Sequence, residues 1–275
     1  MKIKGLLDEQ PQPQPQEQPR VNAQIIQPWS NLILKVKIPD PLFEQLQKLY
    51  DYTMKDWTSF GGQLVGAVVE EPEVTEEIRN KFPEWTEWCL EGVRQFTTIQ
   101  TQQNLAADLD KFEDFQKEEL MTKITTMWFV NQKPHEYNPV HIHTNCKVSS
   151  VCYLKAPEKQ VRDRKSHYQS DGKITFVNNS GSDTNFSNIQ CSFKPEAGDM
   201  YIFGAIQHHM VWPYRSTDPD DSRISLSFNA DIITRSALNK QGDMQQKMYE
   251  DMKKHKESEM KDDKSVTDGD INKSG

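Results

Sequence analysis

The chain changes rhythm at Thr122, and that change constrains the fold more than any other feature. From there to Ile233, short β-rich runs follow one another: Lys123 to Asn131, Lys147 to Leu154, Lys173 to Asn178, Ile189 to Phe193, Met200 to Phe203, His209 to Tyr214 and Arg223 to Ile233. Clusters of Pro, Gly, Ser, Asp and Asn separate them, which is the pattern of an all-β sandwich or barrel. Eight strands in two sheets would make a double-stranded β-helix, a jelly roll. The fold class expected is mainly β with N-terminal α-helices, the jelly roll being backed by the helices.

Upstream the period is helical. Ser30 to Ile38 reads as a strand, and Asp40-Pro41 then supplies an N-cap and a proline at the first helical position. Leu42, Phe43, Leu46, Leu49 and Tyr50 follow at helical spacing, while Gly61 to Val69 reads as a short strand or turn. Thr75 caps an acidic first turn, and Pro83 restarts or kinks the helix. Beyond it Trp85, Cys89, Val93 and Phe96 fall on one face, a stripe that packs as core behind the barrel. Gln100 to Leu120 is polar enough to be a surface helix or loop. The organisation expected is a Pro/Gln-rich disordered tail over 1–22 and one domain over 23–235. Within it, 23–121 is helical support and 122–235 the jelly-roll core; a charged tail over 236–275 is partly helical or disordered.

Charge and cysteine usage narrow the function classes. A formal charge of −8 with 27% charged residues argues against a general nucleic-acid or anionic-membrane binder. No apolar run approaches a membrane span, and Met1 to Leu7 is too short and polar to direct secretion. Cys89, Cys146, Cys152 and Cys191 form no C-x-x-C pair and read as reduced thiols. A cytoplasmic protein is expected, and a homodimer is left open.

Chemistry concentrates in two stretches. Asn138 to Tyr153 holds His141 and His143, one residue apart; on a strand, residues i and i+2 share a face, so both imidazoles can aim at one point. A redox metal with open coordination positions needs a third ligand, and His209, inside an alternating apolar run, suits it. Arg223 follows on the next strand, its planar fork matched to the far carboxylate of a dicarboxylic cosubstrate such as 2-oxoglutarate.

With these residues assembled, the sequence resembles the Fe(II)- and 2-oxoglutarate-dependent oxygenase superfamily, in its prolyl 4-hydroxylase-like branch. Within that branch it is most similar to oxygenases of marine bacteria and of the phages that infect them, which would put the protein in a host cytoplasm. The resemblance covers about residues 123 to 232 through W-x-x-N, N-x-x-H-x-H, Y-L-x-x-P, G-D-x-x-x-F, H-x-V-x-P and R-x-S-x-S-F-N. It implies His141, His143 and His209 as iron ligands, the H-x-V-x-P frame selecting His209 over His208. Arg223 would anchor the 2-oxoglutarate tail, with Ser225, Tyr153 and Asn131 as further cosubstrate contacts. Fe(II), 2-oxoglutarate and O2 are the implied cofactors, and hydroxylation with release of succinate and CO2 the implied reaction.

Two positions depart from the family pattern. Histidine at 143 replaces the usual aspartate or glutamate, leaving an Fe(II) site at formal charge +2 where the usual ligand set leaves +1. Asn131 stands where prolyl hydroxylases often carry tyrosine, which weakens transfer of prolyl specificity. The substrate expected is a protein side chain, prolyl or other, with a small molecule or a modified nucleotide left open. The polar, basic loop from Glu158 to Asp171 is a candidate lid or an ordinary solvated loop. Two other classes stay open: a three-histidine cupin-like dioxygenase that needs no 2-oxoglutarate, and a non-catalytic jelly-roll scaffold such as a phage particle component.

Overall fold

The computed structural model describes residues 32–105, 108–161, 169–178, 189–248, 250 and 252. The expected tail over 1–22, residues 162–168 of the expected loop and the end of the chain from 253 lie outside them.

The chain enters through strand β1 (Ile33–Lys37) and helix α1 (Asp40–Thr53). Pro39 is the N-cap of α1, so the helix starts one residue earlier than the Asp40-Pro41 signal suggests, with Asp40 in the first turn. Thr75 caps α2 (Glu76–Arg79), its side chain accepting from the Ile78 amide, and Pro83 opens α3 (Pro83–Asn104) as a separate helix. The α3 stripe is buried as expected: Trp85, Cys89, Val93 and Phe96 all lie in the core. The polar stretch that follows folds into α4 (Leu109–Gln116), its N-terminus capped by Asp108.

Eight further strands follow: β2 (Leu120–Gln132), β3 (Asn138–His141), β4 (Val148–Lys155), β5 (Ile174–Val177), β6 (Gln190–Phe193), β7 (Asp199–Gly204), β8 (His209–Val211) and β9 (Arg223–Thr234). They form two antiparallel sheets, one of five strands in the order β1-β7-β4-β9-β2 and one of four in the order β3-β8-β5-β6. This is the double-stranded β-helix the turn-punctuated sequence calls for, with β1 added at one edge. A helix over 235–248 continues from β9.

The five-stranded sheet separates two environments, because alternate residues of each strand face opposite ways. Met127 and Phe129 of β2, Val148 and Cys152 of β4, and Leu226 and Phe228 of β9 pack with α1 and α3 into the main core. Gly92 of α3 comes so close to β7 that a Cβ there would sit 2.8 Å from Ile202 Cδ1. On the other face, Tyr153, Tyr201 and Phe203 pack with Ile174, Phe176 and Val211 of the smaller sheet. The cavity that concerns function opens on this second face. The segment from Phe60 to Glu71 contributes to its wall, and Gly66 within it touches β3: a Cβ there would meet Asn138 Oδ1 at 1.8 Å.

Candidate active site

Strand alternation builds the cavity floor. Arg223, Ser225, Ser227 and Asn229 of β9 all line one cavity of about 310 Å³, whereas Ile224, Leu226, Phe228 and Ala230 join the helix-side core. Register then arranges neighbours in rows across β2, β9 and β4. Thr126, Asn229 and Ser149 form one row; Trp128, Ser227 and Val151 the next; Val130, Ser225 and Tyr153 the third; Gln132 and Arg223 the last. In the first row Thr126 Oγ1, Asn229 Oδ1 and Ser149 Oγ are buried without a hydrogen-bond partner among the described residues.

The smaller sheet and its loops supply the histidines. His141 and His209 are paired residues of β3 and β8. His143 is not on a strand: β3 ends at His141, and the His143 amide instead donates to the Ala205 carbonyl at 2.9 Å. The expected picture of both imidazoles on one strand face is thus corrected. Asn145, at φ 58°, turns the chain two residues later, and convergence is achieved by the turn. One ring nitrogen from each of His141, His143 and His209 lies within 4.8 Å of the other two.

Tautomers follow from what the other nitrogens touch. His141 Nδ1 lies 2.7 Å from the Pro139 carbonyl and His209 Nδ1 2.9 Å from that of Gln207. A carbonyl only accepts, so each Nδ1 carries the proton and each Nε2 offers a lone pair. Burial holds all three rings below the usual histidine range, His143 at about 4, with the neighbouring imidazoles adding to the effect at His143 and His209. His143 Nε2 approaches His209 Nε2 to 3.3 Å, an arrangement that a shared cation satisfies. Three neutral imidazoles, two of them oriented by carbonyls, fit a divalent transition metal.

At the other end, Arg223 is 1% exposed and has no carboxylate partner among the described residues. Its Nη1 donates to the Gly172 carbonyl at 3.4 Å, Gly172 being at φ 70°, while Nε has no acceptor. Burial lowers its pKa. An unpaired buried cation costs several kcal/mol, so the pocket is arranged for an anion. The Tyr153 ring lies 5.7 Å from the guanidinium carbon; its hydroxyl is buried, unpartnered among the described residues, and raised in pKa by burial. Ser225 lines the cavity one row from Arg223.

Asn131 is not part of this site, contrary to the sequence expectation. It sits on the helix-facing side of β2, its Nδ2 donating to Tyr50 Oη of α1 at 3.0 Å and to Glu70 Oε2 at 3.1 Å. Trp128, three residues away on the same strand, therefore faces the cavity where Asn131 faces away; its ring is 6.0 Å from that of His143. Sequence reasoning gave Trp128 no role and missed Glu71 and Phe60, which also line the cavity. The alternation Arg-x-Ser-x-Ser-x-Asn was the available signal for Ser227 and Asn229; nothing in the run around Glu71 marked it.

The jelly roll thus brings to one cavity three imidazoles and a buried arginine that has no carboxylate partner among the described residues, a donor set that fits a metal ion and an anion. Residues 126–229, from β2 to β9, match the family model described as "Putative 2OG-Fe(II) oxygenase". Over that stretch the chain is similar to the Fe(II)/2-oxoglutarate-dependent oxygenases, a family whose cofactors are Fe(II), 2-oxoglutarate and O2. Among solved structures it is similar to a 2OG-Fe(II) oxygenase family oxidoreductase from Burkholderia pseudomallei, at 14% identity and TM-score 0.30, over 40% of this chain and 44% of that one. A Pseudomonas putida prolyl-4-hydroxylase matches at 14% identity and TM-score 0.41, over 72% of this chain and 91% of that one. The viral collagen prolyl hydroxylase of Paramecium Bursaria Chlorella virus-1 matches at 12% identity and TM-score 0.37, over 72% and 94%. No curated protein matches the sequence. No helix among the described residues is long and apolar enough to cross a membrane.

Proposed function

We propose that the protein is a hydroxylase in which His141, His143 and His209 hold Fe(II) and Arg223 anchors the tail carboxylate of 2-oxoglutarate. The observation that carries this reading is Arg223: a guanidinium 1% exposed, without a carboxylate partner among the described residues, on the same cavity as the three histidines. A three-histidine dioxygenase with no dicarboxylic cosubstrate has no use for it.

Bound together, iron and 2-oxoglutarate supply the oxidative chemistry that hydroxylates a substrate C–H bond and releases succinate and CO2. The protein's share is orientation and exclusion of water. Pro139 and Gln207 carbonyls fix the His141 and His209 rings, so the ligand nitrogens need no reorganisation. Arg223 offers its donor edge from a dry pocket, where a charge-assisted bond to carboxylate is strongest. Ser225, one row away, and Tyr153, against the guanidinium, have hydroxyls suited to the same carboxylate. Phe176 and Phe203, with ring centroids 5.9 and 4.7 Å from that of His209, shield the histidines from solvent. The substrate is a protein side chain, prolyl or other, or a small molecule.

The test is an oxygen-free titration of metal-free protein with Fe(II) and then 2-oxoglutarate, followed by the visible charge-transfer band of the chelate. The band is expected only with both additions and is lost in His143→Ala; Arg223→Ala should raise the 2-oxoglutarate concentration required at least tenfold. Tight iron binding without a band in the wild type would overturn the cosubstrate assignment.

A further inference from the structure

Glu71 is buried in this cavity, and the reading above gives it no task. It is 1% exposed, lines the same cavity as the histidines and Arg223, and is the sole acidic residue doing so among the described residues. Its Oε1 is buried and without a hydrogen-bond partner among the described residues.

The backbone explains where it points. Glu70 pairs with Asn131 and Glu73 with Trp128, both antiparallel, and the Phe129 amide donates to the Pro72 carbonyl at 2.8 Å. The segment therefore runs as an extra edge beside β2, which sets Glu71 opposite Val130 and on the same face, towards the cavity. Proline at 72 is tolerated because only its carbonyl is used.

Aromatic faces complete the surroundings. The Phe60 amide donates to the Glu71 carbonyl at 2.8 Å, and the Phe60 ring stacks on Trp128 with centroids 5.1 Å apart and planes at 28°. Trp128 in turn reaches His143. Gly61 leaves room next to the carboxyl, for a Cβ there would stand 3.0 Å from Glu71 Oε2. Acid, stacked rings and metal-binding end thus form one continuous wall.

We infer that Glu71, with Phe60 and Trp128, forms the substrate-recognition end of the cavity and takes a cationic group, an ammonium or guanidinium, of the molecule to be hydroxylated. A carboxylate meets such a group with charge-assisted hydrogen bonds, and ring faces add attraction that a neutral donor does not receive. Burial and nearby Glu136 push the carboxyl up to about 7, so a bound cation supplies the counter-charge the site lacks. Glu71 lies one row from Trp128, about 7 Å along the strand. The carbon presented to the metal is then a few bonds from the cation, as in a basic amino-acid side chain or a short alkyl amine.

This inference rests on the hydroxylase reading for its chemistry, and the test separates the two. Nα-acetyl-lysine amide, Nα-acetyl-arginine amide and butylamine, with Nα-acetyl-norleucine amide, Nα-acetyl-citrulline amide and 1-butanol as their neutral counterparts, are titrated by calorimetry into metal-free protein and into protein with Fe(II) and 2-oxoglutarate under argon. At least one cation should bind the wild type and bind Glu71→Gln at least tenfold more weakly, with its neutral counterpart silent. Phe60→Leu, which keeps the acid, should weaken the same cation severalfold; it remains informative if Glu71→Gln does not fold. Equal binding of cations and neutral counterparts, equal binding to Glu71→Gln, or no cation binding to either form of the wild type would each overturn the inference. The charge-transfer band recorded on the same samples reports on iron and cosubstrate independently.

Discussion

At the scale of one residue, an acid enclosed without a counter-charge makes stability depend on pH. The native Glu71 carboxyl keeps its proton up to about 7, whereas the exposed group releases it near 4.5. Between these values the unfolded chain binds fewer protons than the native one, so this contribution to stability is present below the window, falls as pH rises through it and stays lost above. The shift corresponds to roughly 3 kcal/mol. The facing group is Glu136, whose oxygens accept from the Lys133 and Val69 amides. Glu71→Gln removes the titration and keeps the shape. Urea unfolding of both proteins should give similar midpoints near pH 4.5 and a more stable variant at pH 8; parallel profiles would mean the carboxyl ionises freely.

Elements hold the floor rigid beneath these side chains. α3 presses its buried stripe onto β2, β7 and β9, and Trp85, fully buried, tilts against Trp88 at 5.4 Å. Trp85→Ala leaves a cavity between helix and sheet and should cost about 3 to 5 kcal/mol, read as a lower urea midpoint with unchanged slope. That element was legible from spacing alone, because apolar residues at helical intervals admit one buried face. The strands were legible too, from alternation between turn clusters. What failed was orientation within them. The W-x-x-N pattern points to Asn131, although residues three apart on a strand face opposite ways, and Trp128 holds the cavity side. H-x-H suits a strand, but the backbone leaves β3 at His141 and the His143 amide is caught by the Ala205 carbonyl. Glu71 lay in an edge segment defined by long-range pairing, to which local sequence is blind.

Across the whole molecule, the proposed metal site ties together parts distant in the chain. His141 ends β3, His143 lies in the turn that follows, His209 opens β8, and the sheet carrying His141 and His209 has four short strands against five in its helix-backed partner. A metal that binds only the folded arrangement stabilises it by mass action, about 2.7 kcal/mol at a hundredfold excess over Kd. In a chain this size the melting temperature should rise about 5 to 10 °C on adding Fe(II) without oxygen, and fall back with a chelator. His209→Ala should show no rise; a rise of equal size there would place the ion elsewhere.

β9 gives the cavity a ruler. Arg223, Ser225, Ser227 and Asn229 mark it at every second residue, and the backbone spacing between these marks does not stretch. In the proposed complex Arg223 stands at one end of that scale, and each hydroxyl or amide of Ser225, Ser227 and Asn229 stands a whole number of strand repeats from it. A diacid anchored on the guanidinium would meet donors only at those steps, so the cosubstrate would be read in units of a single strand's repeat.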